Sequence, residues 1–171
     1  MRTKTVAETL AHRTELVLPN DTNTLGNLMG GKLLHWMDII TAISAQRLSG
    51  RVMVTASVDF VDFQNPIRLG EIVILEARVT RAFTTSMEVR VDVWGENLQT
   101  EKKRKCNSAY FTFVAVDQSG KPIPVNKVIP QTEEEKELYE GALRRRELRL
   151  VLAGRMKPEQ ATTMVELFGK K

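Results

Sequence analysis

Cysteine is nearly missing from this chain. Cys106 stands alone among 171 residues, which excludes a disulfide framework and a thiolate zinc site. Histidine is almost as scarce: His12 and His35 are the only two, which argues against a His-rich metal centre, so no metal is expected. No apolar run approaches the roughly 20 residues that span a bilayer. The first residues, Met1 to Glu8, lack the apolar core of a signal peptide. There is no internal repeat, no low-complexity segment, no P-loop, no Gly-x-Gly-x-x-Gly and no Gly-x-Ser-x-Gly. No aromatic-plus-basic motif points to nucleic acid. A cytoplasmic protein with no membrane or nucleic-acid partner is the expectation.

What the chain does have is 42% hydrophobic and 27% charged residues and a net charge of +4. That composition suits one globular core, and the charge favours an anionic partner such as a phosphate-bearing ligand. A polar, Gly-rich stretch runs from Asn20 to Gly31 and leads into apolar residues with no Gly or Pro before Gly50. The pattern predicts a loop followed by a helix over Gly30–Ser49, ended by Gly50. This helix is apolar nearly all round, which predicts burial on most sides and a second protomer to complete it.

Strand patterns surround that helix. Glu15 to Leu18 predicts a short first strand, and Met1 to Glu8 reads as loose. Val52 to Phe60 alternates, then slips phase near Phe60–Asp62, which predicts a bulge. Further strands are predicted from Glu71 to Arg81, from Met87 to Val93 with Glu88, Arg90 and Asp92 facing out, and from Lys103 to Val116. Gly95 to Lys105 reads as a polar connection between the last two. Thr132 with Glu135 forms a capping-box pattern that opens a helix from Glu133 to about Ala153, its apolar stripe at Leu138, Tyr139, Ala142 and Leu143. Its outer face is basic, through Arg144, Arg145, Arg146 and Arg149. A last helix runs from Pro158 through Phe168 to Gly169. The predicted class is α+β: a long central helix wrapped by a five-stranded antiparallel sheet, with a helical C-terminal tail. The long strands leave edges that a second copy would pair.

Asp38 is the leading chemical candidate, because Asp is a poor helix-interior residue and this one is flanked by Met37 and Ile39, with Leu34 and Ala42 one turn away. It either works in a site or lies on a solvated stripe with His35 and Thr41. Gly30 and Gly31 place free N–H groups at the positive end of the helix, suited to an oxyanion or merely to a helix start. Asn23 orients a water or a carbonyl, or simply forms a turn. The run Lys102 to Lys105, and Arg81 beside Thr84, Thr85 and Ser86, suit phosphate binding, with a solvated charged loop as the plainer reading of Lys102 and Lys103.

Taken together, Asn23-x-x-Gly26-Asn27-x-x-Gly30-Gly31-x-Leu33-Leu34-x-Trp36-Met37-Asp38 resembles the opening motif of hotdog-fold acyl-CoA thioesterases of the cytosolic acyl-CoA hydrolase type. The likeness continues through Val54 to Asp59, Phe63-x-x-Pro66-Ile67-x-x-Gly70-Glu71, Arg81 to Val89, and Phe111 to Asp117. It covers roughly Thr14 to Pro124. The resemblance implies a hotdog fold, with a thioesterase domain at 1–125 and a helical extension at 126–171. It implies hydrolysis of acyl-CoA to free fatty acid and CoA, a step of lipid metabolism, in sites shared across a dimer, with trimers of dimers as the larger assembly. Asp38 would activate water as general base or attack directly. Asn23 would come from the other protomer, and Gly31, with Gly30, would hold the carbonyl oxygen. Val54, Thr55, Ala56, Ser57 and Val58 would line the pantetheine arm, and Arg81, Thr84, Thr85 and Ser86 the CoA phosphates. CoA is then substrate and product, not a bound cofactor. The alternatives are a hotdog dehydratase or hydratase working through His35 and a carboxylate, and a non-catalytic acyl-CoA sensor.

Overall fold

The computed structural model describes residues 3–168. They fall into two compact units, Met1–Ile129 and Pro130–Lys171. The first unit is built on α1, Gly30–Ser49, with the predicted bounds. Gly50 ends it in left-handed backbone (φ 63°), its N–H donating to the Gln46 carbonyl at 2.8 Å. Leu33, Trp36, Met37, Ile40, Ala45 and Leu48 form a buried stripe at helical spacing. Burial on most sides is not what a single chain achieves. Leu34, Ile39 and Ala42 on the opposite side are half-buried, and Ile43 is 40% exposed.

The stripe packs on a five-stranded antiparallel sheet. Its strands are β2 (Ala11–Leu16), β3 (Met53–Asp59), β4 (Ile72–Ala82), β5 (Ser86–Asn97) and β6 (Lys102–Ala115). Their order is β2-β4-β5-β6-β3, so β3 is an edge. Val73, Leu75, Ala77 and Val79 of β4, Met87, Val89, Val91 and Val93 of β5, and Phe111 of β6 are all fully buried on the helix face. Each large side chain buried this way contributes about 1.5–3 kcal/mol, and a one-residue slip would forfeit them all, so this face sets the register.

Several expectations need correction. Glu88 and Asp92 do not face solvent: they are 1% and 5% exposed. The Thr80 hydroxyl donates to Glu88 Oε1 at 2.6 Å, and Asp92 Oδ1 meets Lys105 Nζ at 2.7 Å and Arg90 Nη2 at 2.9 Å. Alternation assigns a face but not its cover; here, long side chains from adjoining strands supply it. The polar connection from Gly95 to Lys105 shrinks to 98–101, because β5 and β6 keep pairing to Asn97↔Lys102. The β3 irregularity lies between Thr55 and Ser57 rather than at Phe60–Asp62. The first long strand is Ala11–Leu16, paired with β4, rather than Glu15–Leu18.

Nor is the start of the chain loose. β1 (Thr3–Thr5) pairs in parallel with β7 (Lys127–Ile129). This small sheet lies at the C-terminus of α1, where Lys4 Nζ donates to the Arg47 carbonyl and Asn126 Nδ2 to the Leu48 carbonyl at 2.8 Å. Carbonyls that a helix end leaves unpaired are thereby satisfied by distant side chains.

The second unit contains α2 (Glu133–Leu152) and α3 (Thr162–Phe168). The predicted capping box is present: Glu135 N–H donates to Thr132 Oγ1 at 3.2 Å, and Thr132 N–H to Glu135 Oε2 at 3.1 Å. Of the expected basic outer face only Arg144 is exposed; Arg145, Arg146 and Arg149 are half-buried. Glu147, buried on α2, ties the two helices, its Oε2 accepting from the N–H groups of Thr163 (3.0 Å) and Met164 (3.2 Å). The predicted stop at Gly169 lies outside the described residues. Among the described residues no helix is long and apolar enough to cross a membrane.

Candidate active site

The loop before α1 is shaped by its polar residues. Asn23 Oδ1 accepts from the N–H groups of Leu25 (3.0 Å) and Asn27 (3.2 Å), and its carbonyl accepts from Gly26 N–H at 3.0 Å. Gly26 takes the left-handed conformation (φ 72°) that closes this turn. Asn23 Nδ2 keeps no partner among the described residues. The loop is anchored by Asp21, only 6% exposed, which pairs with Lys32 Nζ at 3.0 Å and accepts from Leu18 N–H at 3.1 Å. The Lys32 ammonium and then the Leu18 N–H hold the Asp21 carboxyl below the usual carboxylate range. Lys32 in turn lies over the Trp36 ring. The helix start is therefore fixed by contacts behind it, leaving its front open.

That front is unsatisfied. Met29, the N-cap residue, provides no side-chain cap, and the first intrahelical bond is Leu33 N–H to the Met29 carbonyl at 3.0 Å. The N–H groups of Gly30, Gly31 and Lys32 donate to nothing among the described residues, and the helix dipole adds positive potential there. Gly30, the first of the three, borders a cleft of about 350 Å³ lined also by Asn23, Asn27, Leu28, Leu33, Phe63, Asn65, Pro66 and Ile67. A methyl group at position 30 would lie 3.3 Å from the Phe63 ring, a tight contact that the ring would have to yield to by a few tenths of an ångström. The turn behind the cleft is locked by Glu71, whose oxygens receive Arg104 Nη1 (3.0 Å), Arg104 Nη2 (2.6 Å) and Arg68 N–H (2.8 Å). The Arg104 guanidinium is the main cause that holds the Glu71 carboxyl below its ordinary range.

Asp38 sits two turns along α1, half-buried, and is not among the residues lining that cleft. Its Oδ1 accepts the Thr55 hydroxyl of β3 at 2.7 Å, and Oδ2 has no partner among the described residues. One oxygen is thus oriented and the other is open. The solvated-stripe reading does not survive: Thr41 is fully buried, its hydroxyl donating to the Met37 and Asp38 carbonyls at 2.7 and 3.0 Å. His35 is exposed. The sequence alone places Thr55 on the pantetheine arm and does not mark it as the carboxylate's partner; only the packing of β3 on α1 reveals the pair.

The remaining expected residues divide between the two ends of the sheet. Val54 and Ser86 are both register partners of Val114, from opposite sides, so β3 and the β4–β5 turn meet at one end. Val54, Thr55, Ala56 and Val58 are exposed on the edge strand, and Ser57 is half-buried. Thr84 and Thr85 accept backbone bonds from Val125 and Ala115 at 3.0 Å each, which fixes the turn, and Arg81 lies over the Phe83 ring. The run Lys102–Lys105 is toward the other end of β5, about 25–35 Å away by strand rise. It is not one cluster either, because strand alternation splits it. Arg104 binds Glu71, Lys105 binds Asp92, and Lys103 lies over Trp94. Among the described residues no group of three or more His, Cys, Asp or Glu side chains is arranged to hold a metal ion.

Comparison with known proteins agrees with this fold. Residues 25–102 match the thioesterase superfamily. The chain is 45% identical over 143 residues to the "Uncharacterized acyl-CoA thioester hydrolase YkhA" of Bacillus subtilis (strain 168), covering 84% of this chain and 83% of that protein. Among solved structures it is similar to an apo-hexameric acyl-CoA thioesterase, with TM-score 0.86 and 45% identity over 90% of this chain and 98% of the other. It is similar also to an acyl-CoA hydrolase of Staphylococcus aureus in complex with butyryl coenzyme A, coenzyme A and coenzyme A disulfide. That likeness has TM-score 0.83 and 34% identity and covers 99% of this chain and 100% of the other.

Proposed function

The chain belongs to the acyl-CoA thioester hydrolases of the thioesterase superfamily, and from that premise we propose that its active sites are completed by a second copy of itself. The reaction is hydrolysis of an acyl-CoA thioester to free fatty acid and CoA. The observation that carries the shared-site reading is the separation along α1. Gly31 and Asp38 are seven residues apart, about 10 Å at helical rise. A base must act within hydrogen-bond reach of the water that attacks a carbonyl held at Gly31. Asp38 does not line the cleft beside its own Gly30, and the Thr55 hydroxyl ties its carboxylate to the edge strand β3 instead.

A dimer closes that gap. The edge strand β3 exposes Val54 (45%) and Val58 (37%), with Val52 before it and Phe60 after it also exposed, and an open apolar edge favours antiparallel pairing with another copy. A two-fold pairing sets the strands in opposite directions. The Asp38–Thr55 end of one protomer then approaches the Gly30–Phe63 end of its neighbour. In this reading Asn23 Nδ2 and the N–H of Gly31, with that of Gly30, hold the thioester oxygen, and Asp38 of the partner subunit takes a proton from water as it adds to the carbonyl carbon. The tetrahedral intermediate expels CoA as thiolate, which takes up the proton. The partner's β3, Val54 to Val58, flanks the pantetheine arm, and Arg81, Thr84, Thr85 and Ser86 meet the phosphates. The net charge of +4 suits an anionic substrate.

Catalysis belongs in this reading to the thioesterase domain, expected at 1–125 and running on to Ile129 as a compact unit, with the helical tail as an extension, and needs no cofactor besides the CoA of the substrate. Trimers of dimers, supported by a hexameric relative, and a cytoplasmic location belong to the same reading. The test is thiol release from acyl-CoAs of graded chain length. Equimolar thiol and free acid are expected. Tight binding without thiol release would mark a sensor, and hydration of an enoyl-CoA without thiol release would mark a hydratase.

A further inference from the structure

β3 ends at Asp59, and Phe60 turns the chain through left-handed backbone (φ 59°). The segment 61–66 then passes over the start of α1 and places the Phe63 ring against Gly30. Three bonds shared with neighbouring β6 residues hold this segment. Asn107 Nδ2 donates to the Asp62 carbonyl at 2.5 Å, Asn65 Nδ2 donates to the Lys105 carbonyl at 3.1 Å, and Arg104 Nη2 donates to the Pro66 carbonyl at 2.7 Å. They come from the place where β6 carries an extra residue against β5, with Val93 facing Asn107 and Trp94 facing Lys105. Such a bulge re-aims consecutive side chains. Here it turns a loop that could flex into a fixed wall of the cleft, although Phe63 itself is 53% exposed.

We propose that Phe63 is a specificity-determining residue, the wall that limits the length of acyl chain accepted beside Gly30, with Arg104 and Asn107 as its positioning residues. This rests on the hydrolase reading above. With the thioester oxygen at the helix start and the CoA arm on the partner's strand, the cleft is left for the acyl chain. Its walls suit one. Leu28, Leu33, Phe63 and Ile67 are apolar, Asn65 is spent on Lys105, and Asn23 Oδ1 is spent on its own turn. In this reading Asn23 Nδ2 and the Gly30 N–H are taken up by the thioester oxygen, which leaves mostly apolar wall for the chain. At about 350 Å³ the cleft is at the small end of ligand pockets. Phe63 is the one large ring in that lining and the side chain packed nearest to Gly30.

The experiment compares wild type, Phe63→Ala and Phe63→Trp across a series from butyryl- to palmitoyl-CoA by thiol release. Affinities for non-hydrolysable thioether analogues of the same lengths are measured by calorimetry. In Phe63→Ala the ratio of kcat/KM for long over short chains should rise about tenfold or more, and in Phe63→Trp it should fall. The analogue affinities should move the same way. Thermal melting close to wild type is expected for both variants, because the side chain is half outside. An unchanged length profile in rate and affinity, with wild type active, overturns the role of Phe63 and leaves the hydrolase reading intact. If no acyl-CoA releases thiol with wild type, the hydrolase reading fails, and the analogue affinities alone decide Phe63.

Discussion

Replacing Asp38 with Ala should lower kcat for acyl-CoA hydrolysis at least about a hundredfold, the scale of a lost general base, while the protein stays folded. The side chain is half-buried, and its one recorded bond is the 2.7 Å contact from the Thr55 hydroxyl. Losing that bond costs about 1 kcal/mol of stability, too little to unfold a domain of this size. The neighbours Met37 and Thr41 are fully buried and hold the helix backbone at this point whatever occupies position 38. Asp38→Asn is the sharper variant, since its amide oxygen still accepts from Thr55 but cannot take a proton from water. Initial rates at saturating acyl-CoA, with melting curves alongside, separate chemistry from folding. Wild-type rates in either variant would remove Asp38 from the reaction.

Gly31→Pro should cost about a hundredfold to a thousandfold in kcat, the effect of deleting one oxyanion donor. Proline is tolerated in the first turn of a helix, where the missing N–H breaks no intrahelical bond. At Gly31 that N–H donates to nothing among the described residues, and a Cβ at this position meets no atom within 4 Å. The substitution therefore removes a single donor and adds little strain. Gly31→Ala keeps the N–H and should behave much like wild type. A proline variant with wild-type kcat would show that the carbonyl oxygen is held elsewhere.

The helix and its carboxylate were legible because their signals are local. Gly50 stops α1 through its own left-handed backbone, and Asp38 is conspicuous against Met37 and Ile39. The alternation of β4 and β5 was equally plain, since one apolar face is buried throughout. What could not be read depends on contacts across the fold. Glu88 and Asp92 looked like outward residues because alternation does not disclose that Thr80 and Lys105 reach over them. The order of Lys102 to Lys105 suggested a phosphate cluster, yet the pairing of Arg104 with Glu71 joins positions 33 residues apart. Thr55 reads as one more strand residue until β3 packs on α1. Thr3–Thr5 shows no alternation long enough to mark a strand, and only its partner Lys127–Ile129 makes it one.

The shared site itself is a relation between two copies, and mixed subunits test it most directly. Asp38→Ala and Asn23→Ala proteins, each inactive alone, are mixed in equal amounts under conditions of proven subunit exchange. Half the dimers become hybrids, and each hybrid holds one site with both Asn23 and Asp38 intact, so thiol release should recover to about a quarter of the wild-type level. No recovery with exchange demonstrated would place Asn23 and Asp38 in the same chain's site and contradict the account.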